Sequence, residues 1–141
     1  MYTDISTEAK ATIGLLLCII PNGQQQLSQP HLENISKILV LCTRLRDQDM
    51  NVAFAKVFNI YKESSRNDMI IYYAALVSED FADTVFCMCC ETAMAQGRWN
   101  DAFAEPLATI GLALQLSTDD VKNIIRTYIV RNRWNVQIES A

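Results

Sequence analysis

The sequence predicts an all-α domain, and three observations support this prediction. Apolar residues recur at spacings of three and four along nearly the whole chain, whereas strict alternation is almost absent. The 141 residues include only four Gly and three Pro, too little turn-forming material for an all-β sandwich. N-capping residues precede several of the apolar runs. We therefore expect residues 1–141 to form one compact bundle of about seven helices, with its core over residues 6–131 and a short tail over 132–141.

The first two predicted helices are separated by a clear break. The first covers residues 6–20 and ends at the Pro-Asn-Gly segment 21–23, because proline lacks a backbone donor and Asn-Gly accepts a positive φ. Ser28 is a suitable N-cap for the second helix, and Pro30 is tolerated in its first turn. This helix is expected to fade within the charged stretch 44–49.

The third and fourth predicted helices are joined by a short polar segment. The third starts at Asp49 or Asn51, and the fourth covers residues 69–77 after a cap at Asn67 or Asp68. Helical spacing indicates which residues of the third helix face inward: Ala53, Val57, Ile60 and Tyr61.

The fifth predicted helix is apolar on two faces, which is typical of a helix at the centre of a bundle. It should end at Gln96-Gly97, where glycine can adopt a left-handed conformation. The start of the sixth helix depends on Pro106, because proline is unfavourable inside a helix. We therefore expect a turn over residues 100–104 and a helix over about 106–116.

The last predicted helix begins at the Ser-Thr-Asp-Asp sequence of residues 117–120, which is similar to a capping box. Its apolar stripe is expected to contain Val121, Ile124, Ile125, Tyr128 and Ile129. Arg126, Arg131 and Arg133, followed by Trp134, make the C-terminal part basic and aromatic. Cations near the end of a helix are explained by their favourable interaction with the helix dipole. Binding of nucleic acid is the alternative interpretation.

Two segments of the chain, residues 15–39 and 89–112, follow the same order of features. Each has an apolar helix end, an amide–glycine pair, a polar loop with one apolar residue, and an apolar helix that starts near a carboxylate. The amides are Asn22 and Gln96, the apolar loop residues are Leu27 and Trp99, and the carboxylates are Glu33 and Glu105. This repetition predicts a bundle built around two helix–loop–helix units.

Together with the segment IGLALQLSTDDV at residues 110–121, this pattern resembles the TerB-like tellurite-resistance family. The family also includes the N-terminal helical domain of a membrane-anchored J-protein. The resemblance covers about residues 11–130, although the middle third matches only as helices. It implies an all-helical binding or scaffold module, cytosolic or facing the cytosol, associated with stress and tellurite-resistance gene clusters and without established catalysis.

Some members of that family are thought to bind metal through acidic residues, and the sequence departs from them at this point. Amides, Asn22 and Gln96, stand where the family has an acid before each glycine. An amide oxygen can ligate Ca²⁺, but a site with few carboxylates binds divalent ions weakly. No metal or other cofactor is therefore favoured, and Glu33 and Glu105 are the carboxylate candidates.

The five cysteines form an odd set, and each lies in an apolar stretch, which favours reduced thiols and a cytoplasmic protein. Cys87 and Cys90 stand one helical turn apart and could share a soft metal ion. A thiol-based soft-metal or redox sensor centred on residues 87–90 is therefore the alternative function. We favour a packing role, because small polarizable side chains suit a crowded central helix.

Enzymatic, nucleic-acid and membrane-spanning functions are disfavoured. His31, the single histidine, has no acid at helical spacing, so no nucleophile–base pair is visible. Its first-turn position favours a surface or capping role. The net charge of −4 argues against nucleic-acid binding. The longest apolar run, residues 13–20, is far shorter than the ~20 residues of a membrane span, and the basic start of a signal peptide is absent.

The sequence thus predicts a non-enzymatic module that binds a protein partner, with a homodimer as one form of that partnership. Trp99 and Trp134 are the first candidates for contact residues, because tryptophan is enriched at binding hot spots. Asn22 and Gln96 are included because they stand in the two glycine-centred loops. A tryptophan in a loop is equally suited to anchoring its own loop on the core.

Overall fold

A computed structural model describes residues 5–20, 28–45, 49–95, 97–99 and 101–138, and it confirms the all-α prediction. These residues contain seven α-helices: α1 (Ile5–Leu17), α2 (Gln29–Val40), α3 (Met50–Tyr61), α4 (Arg66–Ala74), α5 (Ala82–Met94), α6 (Asp101–Ala113) and α7 (Thr118–Arg131). A 3₁₀ turn, Glu79–Phe81, leads into α5. Two short strands, β1 (Arg98–Trp99) and β2 (Gln137–Ile138), pair in parallel.

Helix α1 lies at the centre of the bundle. Every residue from Glu8 to Ile20 except Lys10 is buried, and α1 packs on α3, α4 and α5. The chain tightens after Leu17, where the amide of Ile20 bonds to the Leu17 carbonyl at 3.3 Å. Neighbouring helices therefore surround almost all of this helix.

Helix α5 is buried on both faces, as its sequence predicts. Phe81, Val85, Cys89 and Thr92 are buried on one face, and Phe86, Cys90, Ala93 and Met94 on the other. The helix ends at Met94, and Gly97 follows with φ +79°, the left-handed conformation expected for the glycine after this helix. Because α1 and α2 both pack on α5, the helices of the two predicted helix–loop–helix units contact each other.

Three predicted caps are observed. Ser28 precedes α2, and its backbone N–H donates to Nδ1 of His31 at 3.2 Å, which gives the single histidine the local capping role expected of it. The Asp49 carboxylate accepts from the Val52 amide at 3.2 Å, and the Ser117 hydroxyl accepts from the Asp120 amide at 3.1 Å. Side-chain acceptors thus satisfy first-turn donors of α3 and α7.

The predicted start of the fourth helix is wrong by about one turn. Ser65, not Asn67 or Asp68, is the N-cap of α4, and its hydroxyl accepts from the Asp68 amide at 3.1 Å. Asp68 stands in the first turn, where its charge complements the helix dipole. A serine with an acid three residues later is a stronger start signal than the acid alone.

Two further predictions concern the third and second helices. Ile60 is 43% exposed, so its inward assignment is wrong, while Ala53, Val57 and Tyr61 are buried as expected. Ile60 stands at the edge of the apolar face of α3, and Tyr61, one residue further along, is buried. Helix α2 ends at Val40, before the charged stretch 44–49 begins, although Leu45 beyond its end is still buried.

The predicted turn over residues 100–104 is also wrong where the structure describes it, because α6 runs from Asp101 through Pro106. A proline inside a helix removes one donor at a cost of about 3 kcal/mol. The Pro106 ring is buried, and so are Phe103, Leu107 and Ile110 around it. Burial of this apolar face offsets the lost hydrogen bond.

Helix α7 lies at the edge of the bundle, against α5 and α6, and none of its residues is fully buried. Its predicted stripe is half-buried: Val121, Ile124, Ile125, Tyr128 and Ile129. The chain then turns over residues 132–135, buries Val136 and pairs through β2 with β1. No described helix is long and apolar enough to cross a membrane.

Candidate functional site

A groove lies between α2 and α3 at the surface of the described residues. It has a volume of about 560 Å³. Its apolar part is formed by Leu32 of α2 and by Phe54, Ala55 and Phe58 of α3, and its polar rim by Gln29, Glu33, Ser36, Lys37 and Asn51. We call this surface the α2–α3 groove. Helix α2 packs on α5 while α3 packs on α1, so the two helices that line the groove are held by different parts of the core.

The rim of the α2–α3 groove has one charge of each sign. Glu33 and Lys37 stand one helical turn apart on α2 and are both exposed. Within the part of the chain that the structure describes, neither takes part in a salt bridge. The phenyl ring of Phe58 lies 5.3 Å from the ammonium of Lys62, so a cation also flanks the α3 side.

The structure does not bring the proposed carboxylate ligands into one site. Glu33 lines the α2–α3 groove, whereas Glu105 is exposed on α6. Asn22 and Gln96 lie outside the described residues. Among the described residues, no three His, Cys, Asp or Glu side chains meet in an arrangement that could hold a metal ion.

The two tryptophans occupy opposite environments. Trp99 is half-buried against the core, and its ring stacks on Phe103 with the centroids 6.0 Å apart and the planes at 20°. This contact gives Trp99 the loop-anchoring role that the sequence left open. Trp134 is 93% exposed at the end of α7, which keeps it available to a binding partner.

The thiols of the alternative sensor function lie in an environment that favours the protonated form. Burial raises the pKa of Cys89 and Cys90, which are both buried in α5. Burial also raises the pKa of half-buried Cys87, an effect that its hydrogen bond with Tyr128 opposes. Cys18 follows directly after α1, which packs on α5, and burial raises its pKa to about 12.

These pKa shifts predict slow thiol chemistry in the folded protein. A thiol whose pKa rises from 9.0 to about 12, as for Cys18, has a thiolate fraction roughly a thousandfold lower at pH 8. In a Cys42→Ser variant, which removes one half-buried thiol, we expect the remaining four to react with an aromatic disulfide reagent mainly after unfolding. The rates with and without denaturant measure this. The opposite outcome is that one thiol per chain reacts rapidly in the folded Cys42→Ser variant and that this reaction disappears in Cys42→Ser/Cys87→Ser. That outcome would support the thiol-based sensor instead.

The most buried charged side chain among the described residues is one that the sequence does not single out. Glu8 of α1 has no exposed surface, and its Oε1 binds the guanidinium of Arg44 in the turn after α2. Its Oε2 accepts from the Ser78 amide, just before the 3₁₀ turn, at 2.7 Å. The Arg44 guanidinium also lies 5.0 Å from the Phe81 ring centre. This carboxylate therefore ties three distant segments together, and both of its oxygens are occupied by structural contacts.

Comparison of the chain with protein-family models, with curated proteins and with solved structures found no significant match.

Proposed function

We propose that this protein is a non-enzymatic binding or scaffold module of the TerB-like, stress-response type, and that it holds a protein partner in the α2–α3 groove. One observation carries the proposal: a groove of about 560 Å³, with Leu32, Phe54, Ala55 and Phe58 in its lining, lies between α2 and α3. Concave apolar surfaces with a few polar groups at the rim are the usual form of a binding site.

The chemistry of the α2–α3 groove favours an amphipathic helix as the partner. The lining residues of α2, from Gln29 to Lys37, extend over about 12 Å, which is enough to hold two turns of a helix. Leu32, Phe54 and Phe58 offer half-buried apolar surface to the apolar stripe of such a helix. Glu33 and Lys37 would pair with a base and an acid spaced one turn apart on the partner.

The thiol, imidazole and buried carboxylate side chains are in environments that favour structural roles over catalysis. Burial raises the pKa of the Cys89 and Cys90 thiols, and Nδ1 of His31 accepts from the Ser28 amide. The buried carboxylate of Glu8 is committed to Arg44 and Ser78. These contacts support a binding role over an enzymatic or thiol-based one.

The groove proposal predicts a selective loss of peptide binding in an Ala55→Arg variant. Ala55 is exposed on the groove floor, so a long charged side chain there fills the groove without removing core packing. Peptides selected from a displayed library of helical sequences should carry an apolar stripe beside a base and an acid one turn apart. Their dissociation constants, measured by fluorescence anisotropy, should rise at least tenfold with Ala55→Arg.

Ala104→Arg is the matched control, because it makes the same substitution at an exposed residue of α6 that does not line the groove. Its dissociation constants should stay within about twofold of wild type. Selection of no helical peptide, or equal binding to both variants, would contradict the proposal. Loss of a concentration-dependent dimer in Ala55→Arg alone would identify the occupant as a second copy of the chain instead.

A further inference from the structure

The exposed surface of α7 beyond its acidic first turn, together with the turn that follows the helix, is basic, in contrast to the rest of the chain. Residues 121–138 contain four of the twelve basic residues and no acid, so the remainder of the chain has eight basic against sixteen acidic residues. The exposed residues involved are Lys122, Arg126, Val130, Arg131, Arg133 and Trp134, which we call the basic ridge.

Contacts within the fold do not account for the basic ridge. None of its four cations forms a salt bridge with a described residue. Glu91 of α5 approaches α7, but its carboxylate accepts from the Tyr128 hydroxyl at 3.0 Å. The helix dipole explains a cation in the last turn, which is the position of Arg131. Arg126 stands more than one turn before the end of the helix, and Arg133 stands beyond it.

Two apolar side chains are exposed within the same ridge. Val130 is 51% exposed, and Trp134 follows one turn later, almost entirely in solvent. Because the chain keeps turning after Arg131, with the Val136 amide bonded to the Asn132 carbonyl at 2.9 Å, Trp134 continues the end of the helix. The ridge therefore combines cations with an indole that is almost entirely in solvent.

We propose that the basic ridge binds the surface of a membrane that contains anionic phospholipids. Clustered Lys and Arg on a helix are attracted to the negative surface potential of such lipids, and tryptophan is enriched at the level of the headgroups. A fluid interface accepts a protruding indole without a preformed pocket. A nucleic acid fits this surface less well, since single strands are bound in grooves where several aromatic side chains stack on successive bases.

The helix is oriented by its own charges in this complex. Asp119 and Asp120 stand at the N-terminal end of α7, next to Lys122, so the anionic surface repels that end. Arg131, Arg133 and Trp134, at the other end, make the closest approach. The α2–α3 groove is a separate surface, so this proposal does not depend on the protein partner.

The test uses the full chain and vesicles of equal parts phosphatidylglycerol and phosphatidylcholine, with pure phosphatidylcholine vesicles as the uncharged comparison. We expect co-sedimentation with the anionic vesicles at low salt and loss of it at high salt. Arg131→Gln/Arg133→Gln should lower the partition coefficient about 30-fold, from about fivefold per cation. Lys56→Gln/Arg66→Gln removes the same charge from exposed positions on α3 and at the start of α4, and it should change the partition coefficient by less than about twofold.

Tryptophan fluorescence separates insertion from simple charge attraction. In a Trp99→Phe variant, emission comes from Trp134 alone. Brominated phosphatidylcholine in the anionic vesicles should quench this emission, and Trp134→Ala should weaken binding several-fold. Absence of sedimentation with anionic vesicles, equal losses in the two double variants, or unquenched Trp134 would each overturn the proposal. Binding to a single-stranded oligonucleotide without binding to vesicles would assign the ridge to nucleic acid instead.

Discussion

Replacing Glu8 with alanine should lower the free energy of unfolding by about 2–4 kcal/mol, the largest effect that we expect from a single substitution. Removing one member of a buried ion pair costs about 3–5 kcal/mol when the other charge stays buried. Here the Arg44 side chain is 35% exposed, so part of its charge regains water and the cost falls. The Ser78 amide also loses its acceptor. Chemical denaturation at neutral pH measures the difference.

Two variants separate the charge of Glu8 from its hydrogen bonds. Glu8→Gln keeps an oxygen that can accept from Ser78 but removes the charge that attracts Arg44, so its loss should be smaller than that of alanine. Arg44→Met removes the partner, and the double variant with Glu8→Gln closes a thermodynamic cycle. Additive losses in that cycle would show that the two side chains do not interact energetically.

Gly14→Ala should lower the free energy of unfolding by about 1–3 kcal/mol, although alanine is the better helix former. A Cβ atom at Gly14 would overlap Cδ2 of the Tyr73 ring and lie 2.5 Å from its Cε2. Tyr73 is itself buried, so the overpacking cost exceeds the gain of up to about 1 kcal/mol in helix propensity. Thermal and urea denaturation of the two proteins measure the balance.

Replacing Tyr73 with a smaller side chain should remove the destabilisation that Gly14→Ala causes. In a Tyr73→Ala background the added methyl group meets open space, so Gly14→Ala should be neutral or stabilising there. Gly111 is the matched position, because its Cβ would meet Cγ2 of Val121 at 2.6 Å. Val121 is half-buried on the edge helix α7 and can shift, so Gly111→Ala should cost less. If Gly14→Ala and Gly111→Ala lower the free energy of unfolding equally, overlap with the Tyr73 ring is not the cause of the loss at Gly14.

The helices could be predicted from sequence because each depends on neighbours in the chain. The Asp49 and Ser117 caps can be predicted because a capping side chain and the amide that it binds are only three residues apart. The helix through Pro106 cannot be predicted locally, because the contribution that offsets the proline is burial, which depends on other helices. At the start of α4 the sequence offers both a serine and an acid as the cap, and the serine takes that role.

The candidate site was only partly predictable, for a related reason. Glu33 was singled out as a carboxylate near a loop, but the α2–α3 groove beside it exists because α2 and α3 pack on different helices. Glu8 in the first turn of α1 is indistinguishable, in sequence, from an acid that complements the helix dipole. Only the fold places Arg44 and Ser78 against it.

Because the Ser78 amide is bonded to Glu8 of α1, hydrogen exchange at this one amide should report the opening of the whole helical bundle. Ser78 stands between α4 and the 3₁₀ turn, and its N–H is bonded to a side chain 70 positions earlier in the chain. We expect deuterium to replace that proton only when α1 moves away from its neighbours and the hydrogen bond between Glu8 and Ser78 breaks. The exchange rate of a single junction amide should therefore match that of the slowest core amides, and local fraying of α4 should leave it unchanged.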